Sequence, residues 1–406
     1  MKWLVGGKVY DIETGTFSSA AIGVDGERIA AIEPTPRIAD RDEVIDVQGS
    51  HLLPGLIDCH VHLTLNPDAS DTSLYAERTL KQIRADTAAA AHATLLGGIT
   101  TVRDCGGWEY LEMAVRDDVV HGRTLGPRMV LAGKLLWVET PGARDYPGMF
   151  EIAKRPEELQ AAAARQLEHG ADFIKVMATG MTLSPEGEAP EDNFYTVDEL
   201  ASLIGYAHGR GVRVACHAEG RDGIHTVVAA GTDSVEHGTQ ADEEVLIEMA
   251  RRGTFLVPTC MVVSAYLDDP ALRASAPQYI IDRFEAAKPA HCRAIASAAR
   301  HGVPIAMGTD AGAPGVHHGR NADEVRRMIT DAGLSSEEAI FAATLGAARL
   351  LDMDGAIGSL TPGKYADIVA MTSDPLRDPK AFNAIGFVMK GGAVVKNEKV
   401  APDAIG

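Results

Sequence analysis

The chain lacks any long hydrophobic run. Its 406 residues contain no uncharged apolar stretch of about eighteen residues, the length that a bilayer-spanning helix requires. The first residues, MKWLVGGKVYDIETG, combine a short apolar segment with an early acidic residue, which argues against a secretory signal. The sequence therefore predicts no membrane partner, and the cytoplasm is the expected location.

Cysteine is scarce and shows no pairing pattern. The five cysteines are odd in number, scattered, and without a CxxC motif. Such a pattern argues against a disulfide framework. The residues concerned are Cys59, Cys105, Cys216, Cys260 and Cys292.

Positive charge is also in short supply. The chain carries 38 Lys and Arg against 57 Asp and Glu, a formal net charge of -19. This balance repels phosphate backbones and anionic lipid surfaces, so it excludes a general nucleic-acid-binding role. It leaves open whether copies of the chain associate as a homo-oligomer.

The order of strand-like and helical runs predicts the fold class. In the middle of the chain eight short strand-like runs alternate with helical ones, which is typical of βα units and a parallel sheet. We predict an α/β fold with a (β/α)8 TIM-like barrel over residues 53–355. Both ends are rich in short β runs, and Asp25-Gly26 is typical of a hairpin turn. Residues 1–52 and 356–406 are therefore expected to form one small β-sandwich domain.

Five of the eight strand-like runs in the middle of the chain contain a metal-binding side chain. Two histidines at i and i+2 point to the same face of a strand. Such a pair alone is weak evidence, because surface and core histidines meet this spacing by chance. Parallel barrels carry their catalytic residues at the carboxyl ends of strands, so four further segments of this kind favour a shared site. The candidates are His60 and His62 in LIDCHVH, Lys175 in ADFIKVMATG, His217 in VRVACHAEG, His237 in TDSVEHG and Asp310 in VPIAMGTDAG.

The motifs PGLIDCHVHL, GITTVRDCGG, GADFIKVMATG, ACHAEG, DSVEHGT and GTDAG resemble those of the amidohydrolase superfamily. The resemblance covers nearly the whole chain and is closest to imidazolonepropionase-like and prolidase-like members with a binuclear zinc centre. It implies two divalent metal ions, with zinc the expected ion and manganese or cobalt left open. It assigns His60, His62 and Asp310 to the first ion, His217 and His237 to the second, and a carboxylated Lys175 to the bridge between them.

Ligand chemistry agrees with this assignment. Neutral imidazole and carboxylate bind zinc, whereas a lysine ammonium has no free lone pair. Burial favours the neutral amine of a lysine, which can react with CO2 to give a bidentate carbamate. One such anion can hold two cations about 3.5–4 Å apart. The alternative for Lys175 is a structural lysine that snorkels from its strand.

The implied activity is hydrolysis of a carbon–nitrogen bond in a small amide, carbamate or cyclic amide. The metals would lower the pKa of a bridging water from about 16 towards 7, and Asp310 would shuttle its proton to the leaving amine. An Xaa-dipeptidase or N-acyl amino acid carboxypeptidase stays open, as do a lactonase and a deaminase on the same scaffold. A non-enzymatic scaffold protein is disfavoured because all six ligands are present.

Specificity is harder to predict. Long loops follow the third, fourth and eighth strands, and a solvated loop residue is an equally good interpretation of each candidate in them. Glu219 follows His217 closely and would repel an anionic product terminus unless it faces elsewhere, which argues against dipeptidase activity. Arg103 and Asp104 are expected to form a structural ion pair at the barrel rim. The candidate substrate contacts are Trp137, Arg144, Tyr146, His317 and His318, with Arg320 beside them.

Overall fold

The computed structural model describes residues 1–68, 78–146 and 148–398. These residues form seventeen strands: β1 Lys2–Asp11, β2 Thr16–Asp25, β3 Arg28–Glu33, β4 Glu43–Asp46, β5 His51–Pro54, β6 Leu56–Val61, β7 Ile99–Asp104, β8 Arg128–Leu131, β9 Leu135–Trp137, β10 Phe150–Ile152, β11 Ile174–Met177, β12 Val214–Ala218, β13 Ser234–His237, β14 Phe255–Val257, β15 Ile368–Met371, β16 Ile385–Lys390 and β17 Ala393–Asn397.

The same residues form thirteen α-helices: α1 Leu80–Leu96, α2 Leu111–Val120, α3 Pro141–Arg144, α4 Pro156–Glu168, α5 Val197–His208, α6 Arg221–Ala230, α7 Glu243–Arg252, α8 Cys260–Asp268, α9 Pro270–Ser275, α10 Gln278–Arg300, α11 Asp323–Thr330, α12 Ser336–Ala342 and α13 Leu345–Leu350. A 3-10 helix spans Pro379–Asn383. No helix within the described ranges is long and apolar enough to cross a membrane.

The two ends of the chain share one sheet. Its eight strands include β1 to β5 from the start of the chain and β15 to β17 from its end. Strand β5 lies between them, parallel to β1 and antiparallel to β15. Leu4, Ile22, Ile368 and Phe387 pack together in a separate apolar core. The pairing of the two ends agrees with the sequence analysis, and the description of this unit as a two-layered sandwich stays a prediction.

The middle of the chain forms two parallel sheets. One contains six strands in the order β10-β9-β11-β12-β13-β14, and the other contains β6, β7 and β8. An irregular segment, residues 304–310, runs between the two sheets. Leu256 N of β14 donates to Pro304 O over 2.9 Å, and Cys59 N of β6 donates to Met307 O over 2.8 Å. The predicted eighth strand is thus replaced by isolated bridges, and the ladder of the described strands does not run as one continuous ring.

Local sequence explains why strands and helices alternate here. Strand β11, IKVM, is buried along its whole length, which suits a strand covered on both faces. Helix α5 then begins at a capping box, in which Thr196 accepts from the Glu199 backbone and the Glu199 side chain accepts from Thr196. Because each connecting helix returns the chain, successive parallel strands point the same way. Their carboxyl ends therefore meet on one side of the molecule.

Candidate metal centre

His60, His62 and Asp310 come together at the junction of β6 and the irregular segment. Atom Oδ1 of Asp310 lies 3.5 Å from Nε2 of His60 and 3.4 Å from Nε2 of His62. The backbone supports this approach, since Asp310 N donates to His60 O over 2.8 Å. Asp310 has a φ of 63°, in the left-handed region that few non-glycine residues adopt. Such backbone strain is commonly found where a side chain is aimed at a functional site.

His217 and His237 form the second part of the cluster. They lie on the neighbouring strands β12 and β13, and their ring centroids are 4.6 Å apart. His237 also lies 5.0 Å from the ring of His60 and has a φ of 67°. Lys175 lies on β11, beside β12, and all six predicted ligands line the same cavity.

Hydrogen bonds decide which nitrogen of His60 and His62 faces the cavity. Nδ1 of His60 donates to Oε2 of Glu236 over 2.8 Å, and Nδ1 of His62 donates to the Gly106 carbonyl over 2.9 Å. In both rings Nε2 carries the free lone pair. Hydrogen bonds to the remote nitrogen are the usual way in which proteins orient histidines that bind metals.

His237 and His217 are oriented in the same manner. Nδ1 of His237 donates to Oγ1 of Thr259 over 2.7 Å, while the Thr259 hydroxyl donates to the Pro258 carbonyl over 2.6 Å. His217 is reversed, because its Nε2 donates to the Gly180 carbonyl over 3.1 Å. His237 therefore offers Nε2 to the cavity, and His217 offers Nδ1.

Burial keeps these imidazoles neutral. It lowers the pKa of His62 to about 4 and that of His217 to about 3. The pKa values of His60 and His237 fall well below the ordinary value for the same first reason. Burial also raises the pKa of Asp310 to about 6. Neutral rings with an oriented lone pair are the form in which histidine binds a cation.

Lys175 is the unusual member of the cluster. Its side chain is 1% exposed, and its Nζ has no hydrogen-bond partner among the described residues. An unpaired buried ammonium carries a large desolvation cost. The donor set fits a lysine whose Nζ is modified or ligated, rather than one that snorkels to solvent.

Three of the predicted ligands lie close enough together to share one ion. One donor atom each from His60, His237 and Asp310 lies within 4.8 Å of the others. This group crosses the division expected from the resemblance, which gave His60 and His237 to different ions. A single ion could be held by these three residues together.

Glu236 and Arg103 form an ion pair that the sequence analysis missed. Nη2 of Arg103 lies 2.7 Å from Oε1 and 2.9 Å from Oε2 of Glu236, and both side chains are buried. The expected pair of Arg103 with Asp104 does not form. Instead the Asp104 carboxylate accepts from the backbone N of Leu63 over 2.8 Å and of Gly106 over 2.9 Å. Neighbouring residues on β7 point to opposite faces, so the two side chains diverge.

Asp58 is a second residue that the sequence analysis missed. Its carboxylate accepts from the backbone N of His60 over 3.1 Å, from Oγ1 of Thr309 over 2.7 Å and from Nδ2 of Asn321 over 2.8 Å. It thereby ties β6 to the segment that carries Asp310. The available signal was spacing, because Asp58 lies two residues before His60 on the same strand.

The predicted substrate contacts separate into two groups. Tyr146 lines the cavity. Trp137 is fully buried outside that lining, with its ring centroid 4.8 Å from that of Phe150. Arg144 is exposed and donates to Oε1 of Glu139 over 2.7 Å. Trp137 therefore supports the wall of the cavity, and Arg144 lies on the surface.

The two histidines of the last loop also lie outside the lining. His318 is largely buried and its Nδ1 is 3.3 Å from Oγ1 of Thr94. Nδ1 of His317 lies 3.7 Å from Oδ1 of Asp68, with the side chain 40% exposed. Arg320 borders a separate groove between the parallel sheets and the terminal sheet. The chain turns away from the cavity after Ala313 and Pro314, which do line it.

The cavity opens to solvent, and the centre of a water-sized sphere can occupy about 90 Å³ of it. Its polar side chains are the six predicted ligands together with Thr182, Glu219, Thr239 and the Tyr146 hydroxyl. The remaining walls are aliphatic, aromatic or thioether.

Sequence and fold comparisons agree on a single class of protein. Residues 51–396 match the amidohydrolase family. Ochratoxinase of Aspergillus niger is 30% identical over 384 residues, which cover 86% of this chain and 77% of that enzyme. Imidazolonepropionase of Rubrobacter xylanophilus is 27% identical over 419 residues, which cover 95% of this chain and 91% of that protein. The crystal structure of a Xaa-Pro dipeptidase with bound methionine superposes with a TM-score of 0.86 at 27% identity, covering 98% of this chain and 100% of that one.

The family match and these relatives identify the protein as an enzyme that hydrolyses carbon–nitrogen bonds. The chain belongs to the amidohydrolase family, in its prolidase-like and imidazolonepropionase-like branch. Members of this family generally bind divalent metals, and the cluster around His60 contains groups that could hold one.

Proposed function

We propose that this amidohydrolase cleaves the carbon–nitrogen bond of a small amide, carbamate or cyclic amide at a centre of two divalent cations. The observation that carries the proposal is the meeting of four oriented neutral histidines, the half-buried carboxylate of Asp310 and an unpartnered lysine at one cavity. Zinc is the expected ion because imidazole and carboxylate ligands suit it. Two such ions, when bound, would supply an activated water and polarise the substrate carbonyl.

The ligand assignment follows the orientation of each ring. His60 and His62 would bind through Nε2, His237 through Nε2 and His217 through Nδ1. Lys175 would be carboxylated on Nζ, which gives that buried atom the partners it otherwise lacks. The resulting anion would bridge the two ions.

Asp310 would act as both ligand and proton shuttle. Its Oδ1 lies beside Nε2 of His60 and Nε2 of His62, and its side chain lines the cavity. A carboxylate in this position can accept a proton from the attacking water and return it to the leaving nitrogen. That transfer converts a poor leaving anion into a neutral amine.

We infer that β6 to β8, β11 to β14 and the segment 304–310 correspond to the eight strands of a TIM-like barrel, which the superposition on the Xaa-Pro dipeptidase supports. A cytoplasmic location is proposed from the sequence alone.

Metal analysis and a substrate screen test the proposal together. We expect the purified protein, without added metal, to carry about two equivalents of divalent transition metal by inductively coupled plasma mass spectrometry. Chelation should abolish turnover, and zinc, manganese or cobalt should restore it. The metal-loaded enzyme is then screened by mass spectrometry on N-acyl amino acids, carbamates, cyclic amides and lactones.

Two outcomes would contradict the proposal. The first is a protein with no stoichiometric transition metal whose activity does not respond to added ions. The second is turnover of lactones with no turnover of any amide or carbamate, which would favour the lactonase alternative.

A further inference from the structure

The cavity beside the predicted metal centre has almost entirely apolar walls. Leucine, methionine, valine and aromatic side chains line it, among them Leu135, Met149, Met181, Val262 and Phe284. Apolar walls contribute binding energy to apolar groups and provide no compensation for the desolvation of a charge.

Cationic side chains are missing from the described lining. Its one lysine is Lys175, which belongs to the predicted metal centre, and it includes no arginine. The segment 69–77, ASDTSLYAE, contains neither lysine nor arginine in its sequence. A substrate carboxylate would therefore find no side-chain cation in this lining outside the metal centre itself.

Arg283 lies behind the same wall but is already engaged. Its guanidinium donates to the carbonyl oxygen of Ser184 over 2.7 Å and to that of Glu188 over 2.6 Å. It also lies 3.4 Å from the carbonyl oxygen of Thr182. The guanidinium thus stabilises the loop after β11 and does not line the cavity.

The sequence left open which way the side chain of Glu219 faces. In the structure this side chain lines the cavity. Its Oε1 accepts from the Thr182 backbone N over 3.0 Å, and its Oε2 accepts from the Thr182 hydroxyl and, over 3.4 Å, from the Thr239 hydroxyl. Oε1 also lies 3.6 Å from Nε2 of His217. These contacts hold an acidic group in the wall next to the reacting centre.

We propose that the substrates are apolar amides or carbamates without a free carboxylate, and that Glu219 is the residue that excludes carboxylate-bearing analogues. The inference rests on the proposed hydrolytic function and adds its substrate class. A substrate carboxylate would lose its hydration among apolar walls, and Glu219, whose oxygens already accept from Thr182 and Thr239, provides no donor to replace it. An uncharged analogue of the same shape has no carboxylate to desolvate.

One matched pair of compounds isolates the carboxylate. N-(2-phenylethyl)benzamide and N-benzoylphenylalanine differ only by the carboxylate on the carbon next to the amide nitrogen, and both release benzoate. With the metal-loaded enzyme at pH 8, we expect kcat/KM for the neutral amide to exceed that for the acid by about tenfold or more. In Glu219→Gln this ratio should shrink by about tenfold, because the glutamine amide offers an N–H donor to the substrate carboxylate.

Glu191→Gln is the matched control. Glu191 lies on the loop after β11, is exposed, and is outside the lining. The Glu191→Gln substitution removes one negative charge without changing the cavity. The ratio of the two kcat/KM values should therefore stay at the wild-type value. Preference of the wild-type enzyme for the acid would overturn the inference, as would an unchanged ratio in a folded Glu219→Gln variant. If that variant does not fold, the wild-type ratio alone decides.

A binding measurement separates this inference from the proposed function. Isothermal titration calorimetry of the same two compounds with metal-loaded protein gives their dissociation constants even if neither is hydrolysed. Direct coordination of the acid to metal occurs in wild type and variant alike, so it cancels from the change in ratio. Absence of hydrolysis with tighter binding of the neutral amide would contradict the proposed function and support the substrate class. Tighter binding of the acid, unaffected by Glu219→Gln, would overturn the substrate class.

Discussion

Oε2 of Glu236 lies 2.8 Å from Nδ1 of His60, beneath the floor of the cavity. The same carboxylate is bound by Arg103 and by the Ser234 hydroxyl, which donates to Oε1 over 2.6 Å. Burial opposes ionisation of Glu236, but Arg103 and its other partners lower its pKa below the ordinary value. The group is therefore an anion that orients a predicted metal ligand from outside the cavity.

Glu236→Gln should weaken metal binding without touching a ligand directly. The amide has no charge to balance Arg103, and His60 is freed to change tautomer or rotate. Loss of such a partner typically costs about 10–100-fold in metal affinity. Competition with a chromogenic chelator would measure this loss. Glu243→Gln, at an exposed position in α7, is the control, and equal metal affinity in the two variants would argue against the orienting role.

Asp310→Asn should separate metal binding from catalysis. The amide keeps an oxygen for coordination but cannot accept a proton at neutral pH. We expect the variant to retain much of its metal and to lose most turnover, a reduction in kcat of about 100-fold or more. Metal content and kcat are measured on the same preparation. A normal kcat would refute the shuttle role.

Lys175→Met should have opposite effects on metal content and on apoprotein stability. The bridging ligand is lost, so we expect about one fewer equivalent of bound metal. The thioether fills similar space without an unpartnered buried Nζ, so the metal-free variant should unfold at a temperature no lower than metal-free wild type. Differential scanning calorimetry after exhaustive chelation checks the second point. Unchanged metal content would argue against a bridging lysine.

Glu324 lies outside the predicted ligand set, and its burial predicts that the free energy of unfolding depends on pH. It is fully buried, accepts from Cys260 N over 2.6 Å and Met261 N over 2.8 Å, and burial raises its pKa to about 8. Because this folded-state pKa lies above the ordinary value of 4.5, the unfolded chain releases the proton first as pH rises. Between these two values wild type should lose stability relative to Glu324→Gln, by about 1.4 kcal/mol per pH unit. Urea unfolding of both proteins at pH 5, 6 and 7 measures the difference, and a pH-independent difference would contradict the raised pKa.

The sequence was sufficient for the residue types and their order. A strand of period two places His60 and His62 on one face, and parallel strands bring their carboxyl ends to one side, so distant motifs could be joined without coordinates. The pairing of the two chain ends in one sheet followed from similar β-rich patterns. Family resemblance then supplied the ligand roles, which stay predictions until metal is measured.

The expected alternation of side chains between the two faces of a strand does not hold where the backbone departs from strand geometry. Strict alternation cannot bring both Glu236 and His237 to the cluster, yet the φ of 67° at His237 allows it. Most of the predicted substrate contacts, though not Tyr146, lie outside the cavity lining for a related reason. The direction of a loop depends on long-range contacts, such as that of Thr94 with His318, which local sequence does not encode.

The amino-acid sequence by itself determined which side chains could bind metal and the order in which parallel strands present them, because both depend on residue chemistry and short-range periodicity. Only the tertiary structure decided which nitrogen each histidine offers, that Glu236 pairs with Arg103, and that Glu219 faces the cavity. Those relationships join groups from different strands and loops, and their geometry exists only once the chain has packed.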